Sequence, residues 1–140
     1  RGGADVSERV LIGDDRRLLE AMSAADVDLF GAFTGTLLTG LAPQAVALTA
    51  DEVFTELNHS LPQGVSVGDP TLVTTDDQAG RAQVLVPVYR SAVLSRREMK
   101  SVNKVAGELT TADLETLTDR ARNGSEPRDL AASWLTEHGM

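Results

Sequence analysis

The residues best suited to chemistry lie in one stretch, Asp28-Leu29-Phe30-Gly31-Ala32-Phe33-Thr34-Gly35-Thr36. A strand that ends in an aromatic and passes through Thr-Gly-Thr into a helix can hold a small ligand bearing an anionic group. The helix N-terminus presents unpaired amides and a hydroxyl to a carboxylate, and an aromatic face attracts a cation. The spacing by itself favours a core Phe33 with threonines that only cap the helix. Both readings stay open at this level.

Elsewhere the chemistry is sparse. His59 falls at a predicted helix end and His138 beside the C-terminus, neither with a partner at metal-ligand spacing, so both are expected as surface side chains. Asp14-Asp15 and Asp76-Asp77 are adjacent pairs at loop or helix-start positions, where Asp is common for conformational reasons. No Ser/His/Asp set sits in a nucleophile-elbow context, and no Lys-Ser or Lys-Thr follows a glycine cluster to cradle phosphate. The expectation is a protein that is not an enzyme and needs neither metal nor cofactor.

Bulk properties narrow the partners. The chain has 140 residues, enough for one domain and one core. Its formal net charge of −8 disfavours nucleic acid and anionic membrane surfaces, which recruit concentrated Lys and Arg. The acidic residues are dispersed, as on a solvated surface. With no cysteine, disulfides and thiolate zinc sites are excluded. No apolar stretch reaches the roughly 18 residues of a membrane span. The opening Arg1-Gly2-Gly3-Ala4-Asp5 carries no signal-peptide pattern and reads as a mature or excised start.

The elements that must position these residues alternate along the first half. A strand is predicted over Val6–Ile12, then a helix from Asp14 with Leu18, Leu19 and Met22 on one face. A short strand follows at Val27–Phe30, stopped at Gly31, and a loop from Phe33 turns into a short helix with Thr34 or Thr36 near its start. Thr49 and Glu52 form a capping box for a helix that buries Val53, Phe54 and Leu57. Val65–Val67 and Leu72–Thr74 are β-type runs on either side of a turn at 68–71. Asp76–Arg81 is a polar loop. Gln83–Tyr89 is an apolar strand expected at an edge, or broken, because Pro87 lacks a ladder donor. From Ser95 onward the chain is helical, in three segments. They are marked by the Ser95/Glu98 box with Met99, Val102 and Val105; by Thr110–Asp113 with Leu114 and Leu117; and by Pro127 with Leu130, Trp134 and Leu135. Alternating strands and helices favour a mostly parallel sheet, with the closing helices packed across it.

These residues also carry a resemblance. Asp28–Leu38 is similar to the D-L-Y-P-E-Y-T-G-T-x-L segment of osmoprotectant-binding subunits of ABC importers, which bind glycine betaine, choline and carnitine. Asp76-Asp77, then Pro87-Val88-Tyr89-Arg90, then Leu109-Thr110-Thr111-Ala112-Asp113-Leu114 resemble the family's D-D…P-V-V-R and L-T-T-x-x-[LM] signatures. The ending Ala131–Gly139 is similar to A-x-x-[FW]-L-x-x-x-G.

The resemblance implies one lobe of a type II periplasmic-binding-protein fold. Residues 1–67 and 72–140 would be the two segments of that single lobe, joined at 68–71 where the second lobe is missing. The first strand and helix of the family's lobe are missing as well. It further implies a quaternary-ammonium solute, an ABC permease as partner and an extracytoplasmic place in the cell envelope. Phe33 would stand where the family has a box tyrosine, Thr34 beside it, Thr36 where a residue bonds the ligand carboxylate, and Gln83 where another tyrosine precedes the P-V-V-R motif. A single cation–π contact contributes ~0.5–2 kcal/mol against the roughly 8 kcal/mol of micromolar affinity, so one lobe alone is expected to bind weakly. The alternatives are an interaction module that meets a protein or another copy of itself through the uncovered face, or an isolated fragment of a larger two-lobed protein.

Overall fold

The computed structural model describes residues 14–46 and 49–140, and the predicted strand Val6–Ile12 lies outside them. The elements run α1 (Asp15–Ser23), β1 (Leu29–Phe33), α2 (Thr34–Leu41), α3 (Ala50–Ser60), β2 (Val65–Val67), β3 (Thr74–Asp76), β4 (Ala82–Arg90), α4 (Arg96–Glu108), α5 (Thr111–Arg122) and α6 (Pro127–Glu137).

The α/β class holds, but the sheet is not parallel. All three strand pairings are antiparallel and all involve β4. One edge of β4 pairs with β1, from Leu29↔Tyr89 to Phe33↔Leu85. The other edge is shared by β2, opposite Val88–Arg90, and β3, opposite Ala82–Val84. Strands β1 and β2 therefore point the same way, as the β–α alternation leads one to expect, yet β4 lies between them in the opposite sense. Alternation constrains the direction of successive strands. It is silent about a later strand inserted between them.

Residues 68–71 also differ from expectation. They form no chain reversal, because β2 and β3 follow one another along the same edge of β4, and the strand-like run begins at Thr74 rather than Leu72. The reversal comes at Asp77–Arg81, where the Asp77 amide donates to the Arg81 carbonyl. The detour at 68–71 explains how Pro87 sits in the central strand instead of at an edge. The Leu85 amide donates to the Val73 carbonyl and the Gly68 amide to the Pro87 carbonyl, so this side of β4 faces β2 and β3. The Pro87 nitrogen thus points at the interval where the neighbouring strand is interrupted, and no ladder bond is lost. Gly68 closes against the proline ring: a Cβ there would lie 2.8 Å from Pro87 Cγ.

Gly31 does not stop β1, which continues through it to Phe33 and enters α2 at Thr34 without a loop. Strand alternation then sorts the side chains. Val84, Val86 and Val88 of β4 join Ala32, Met22, Leu37, Leu38, Val53 and Leu57 in one core beneath α1, α2 and α3. Leu38, Val53, Leu57 and Val88 are completely buried, each contributing on the order of 1.5–3 kcal/mol.

The opposite face, with Leu29, Gly31, Leu85 and Pro87, is covered less well. Of the closing helices, α4 lies against β4, while α5 and α6 pair chiefly with each other. Met99, Val102 and Val105 are only half-buried, and Ala106 is the one residue of α4 that is fully buried. The result is an open groove of about 420 Å³ between α4 and the β1–β4 pair. His138 is not a plain surface side chain: it is half-buried and stacks on Trp134 with ring centroids 4.1 Å apart.

Helix α1 ends in a Schellman arrangement, with the Ala25 amide donating to Met22 and the Asp26 amide to Ala21. Ala25 adopts the left-handed conformation this requires, with φ of 65°, where a Cβ costs roughly 1–2 kcal/mol. Ala25→Gly should therefore raise the urea midpoint, by about 1 kcal/mol of stability.

Candidate functional site

The structure brings all four predicted ligand residues to one end of the sheet, where β1 runs out and β4 begins. The local sequence explains the geometry. Phe33, the last residue of β1, occupies the N-cap of α2, but its side chain cannot accept a hydrogen bond. The amides of the first helical turn must find acceptors elsewhere. Gln83, the second residue of β4, supplies one: its Oε1 accepts from the Thr36 amide at 2.9 Å and from the Thr36 hydroxyl at 3.2 Å. Thr34, completely buried, uses its Oγ1 to accept from the Val84 amide at 3.1 Å. The strand-to-helix junction is thereby stitched to β4 on both sides of Gly35.

Close approach demands that Gly35 be glycine. A Cβ there would meet Gln83 Oε1 at 2.9 Å and Asp77 Oδ2 at 3.0 Å. The Gly35 carbonyl accepts from an Arg81 Nη2 at 3.2 Å, and the same nitrogen bonds the Thr39 hydroxyl. Arg81 Nε in turn contacts Asp77 Oδ2 at 2.7 Å, with side chains only 14% and 5% exposed. The other Asp77 oxygen accepts from the Ala79 and Arg81 amides, each at 2.9 Å, and so holds the β3–β4 turn.

The Asp77–Arg81 pairing and its contact with Gly35 escaped the sequence reading, which placed 76–81 in a polar loop and took Asp77 only as one of two adjacent acidic residues. The available signal was an Asp four residues before an Arg across Gln78-Ala79-Gly80, a spacing suited to a hairpin turn. Three of the roughly four acceptor positions of the Asp77 carboxylate are taken by the Ala79 amide and by the amide and guanidinium of Arg81, and Asp76 is exposed in β3.

Chemically, the Thr36 donors at the junction are already engaged. The Thr36 amide and hydroxyl, expected to be open to a ligand carboxylate, are occupied by Gln83. Phe33 is half-buried and pairs in register with Leu85. Thr36 itself is exposed. It forms part of the rim of a cavity of about 410 Å³ between α1 and α2, which Phe33 does not line. The remaining resemblance motifs have structural work in this fold. Asp28 and Arg90 form an exposed ion pair at 2.8 Å at the far end of the β1–β4 ladder. Thr110 and Asp113 cap α5, and the Thr111 hydroxyl accepts from the Thr74 amide at 3.0 Å. Among the described residues no helix is long and apolar enough to cross a membrane. Comparison of the chain with protein-family models, curated proteins and solved structures finds no match in any of the three.

The Arg81 amide first, then the Arg81 guanidinium and the Ala79 amide, hold the Asp77 carboxyl below its ordinary value of 3.8, against the opposing effect of burial. A carboxylate shifted this way contributes stability that is present above the unfolded pKa and is lost as pH falls through the folded one. Thermal melts between neutrality and about pH 3 should accordingly show a shallower acid loss for Asp77→Asn than for the parent chain.

Proposed function

We propose that this chain is a non-catalytic solute-binding lobe of the kind found in osmoprotectant importers, with Phe33, Thr34, Thr36 and Gln83 at its ligand rim. The observation that carries the reading is their convergence. Residues 47 positions apart in sequence, Thr36 and Gln83, meet where β1 ends and β4 begins. The type II lobe, the quaternary-ammonium solute, the permease partner and the extracytoplasmic location all belong to this proposal.

The engaged Thr36 donors set the affinity. A ligand carboxylate must displace the Gln83 carboxamide from the Thr36 amide, exchanging one hydrogen bond for another at little net gain. Binding is therefore weak, resting mainly on the Phe33 ring. In an amide NMR titration with glycine betaine at millimolar concentration, the Thr36 amide and the Gln83 side-chain amide should shift together. Phe33→Ala should weaken binding by about 2- to 30-fold, the equivalent of one cation–π contact. Silence of both amides with the fold intact would end the solute reading.

A second reading, docking of a protein or another copy, has its own support on the face of the sheet turned away from the core. Leu29 is 45% exposed beside the open groove under α4, and exposed apolar surface of this kind invites association. Sedimentation equilibrium should then reveal concentration-dependent dimers that Leu29→Glu abolishes, whereas a monomer at every concentration speaks against self-association.

A further inference from the structure

Charge on this acidic chain is segregated. Arg96, Arg97, Lys100 and Lys104 of α4 are four of its 13 basic residues, and Glu98 is the only acidic residue between Ser91 and Gly107. At one turn per 3.6 residues the four fall within an arc of roughly 100°, opposite Val102, Val105 and Ala106, which face the sheet. All four are exposed. Among the described residues none has a carboxylate within ion-pair distance, because the ion pairs lie at Arg16, Arg17, Arg81 and Arg90. Glu98 is turned back onto the Ser95 amide at 2.7 Å in the capping box, and Lys104 Nζ donates to the Gly139 carbonyl at 3.2 Å. The row opposes the helix that carries it. Arg96, Lys100 and Lys104 repeat every four residues, where like charges destabilise a helix. Arg96 and Arg97 also open the helix, where its dipole disfavours cations. A second feature adjoins the row. The turn at 91–93, just before α4, exposes Ala92 and Val93, the latter to 39%. The Ser91 amide, donating to the Gly64 carbonyl at 2.9 Å, and the Val93 amide, donating to the Arg90 carbonyl at 3.1 Å, hold that turn in place.

We infer that α4 and the turn before it dock onto a membrane surface rich in anionic phospholipid, with the four cations against headgroup phosphates and Val93 at the acyl boundary. A merely solvated helix face mixes its signs, as α1 does with Arg16 and Glu20 at 3.3 Å. The α4 face does not, and a negative surface relieves both its like-charge contacts and its conflict with the helix dipole. The formal charge of −8 disfavours such a surface only as an average over the chain. Charges more than about 10 Å apart are largely screened at 0.1 M ionic strength, so a bilayer meets the local row, which spans roughly 12 Å of helix axis. An acidic polypeptide would neutralise the cations without needing an exposed valine beside them. An anionic bilayer uses both, because apolar insertion and attraction to anionic headgroups add. The inference goes beyond the solute-binding reading and uses none of its residues.

Co-sedimentation with sucrose-loaded vesicles tests it, comparing phosphatidylglycerol mixed with phosphatidylcholine against phosphatidylcholine alone. At low ionic strength the chain should pellet with the anionic vesicles and stay in solution with the zwitterionic ones. About 1 M salt should release it, since the screening length then falls to about 3 Å. Arg96→Gln and Lys100→Gln should each lower the partition coefficient roughly fivefold, and together roughly 25-fold. Arg128→Gln on α6, away from the row, should stay within about twofold. Val93→Ser should weaken binding about threefold and leave its salt dependence unchanged. Thermal melts of the glutamine variants should match or exceed the parent's, because like-charge contacts have been removed, which separates lost docking from lost folding. Equal pelleting with both kinds of vesicle, or a double glutamine variant that pellets like the parent, would overturn the inference. So would a Val93→Ser chain with the parent's affinity that binds poly-L-glutamate more tightly than vesicles, a result that assigns the row to an acidic polypeptide.

Discussion

Strand β4 holds the sheet together, and its geometry leaves little freedom. Its nine residues pair with β1 on one side and with β2 and β3 on the other, while Val84, Val86 and Val88 anchor the core beneath the first three helices. A central strand must offer hydrogen bonds on both edges, and a proline within it removes one. The neighbouring chain accommodates this by stepping away at 68–71, which places Pro87 opposite a gap and Gly68 against its ring. The division of one edge into β2 and β3 follows from that single missing donor.

The same strand determines what the candidate site can do. Helix α2 starts directly from β1, on a phenylalanine that cannot cap it. The Gln83 carboxamide on β4 takes the place of a cap, and Thr34 returns an acceptor to the Val84 amide. These bonds fix the junction in place and, by the same act, fill the positions that a ligand carboxylate would use. The Asp77–Arg81 pair adds a second layer, bonding the β3–β4 turn to the Gly35 carbonyl.

Local chemistry was legible because its partners are close in sequence. The capping boxes Thr49/Glu52 and Ser95/Glu98 form as their spacing predicts, the Asp14 cap opens α1, and Pro127 starts α6. The core faces of α1 and α3 follow from their periodicity, through Met22, Val53 and Leu57. Legibility ended where a residue's partner is remote. Gln83 was placed at the site by resemblance, but its bond to Thr36 spans 47 positions and no pattern announces it. Met99, Val102 and Val105 have the periodicity of a buried face, yet α4 covers the sheet only loosely, since periodicity marks a face without saying how closely another element meets it.

The amino-acid sequence by itself determined most of the helices among the described residues, where several of them begin, and the acidic balance of the chain. Each of these depends on neighbours within a turn or two, or on composition alone. Only the tertiary structure decided that β4 enters between β1 and β2 against their direction, that Pro87 is central, and that the Thr36 donors are already taken. Those outcomes depend on which edges meet after the chain has folded back, and hydrogen bonds across a sheet are insensitive to the length of chain between the strands they join.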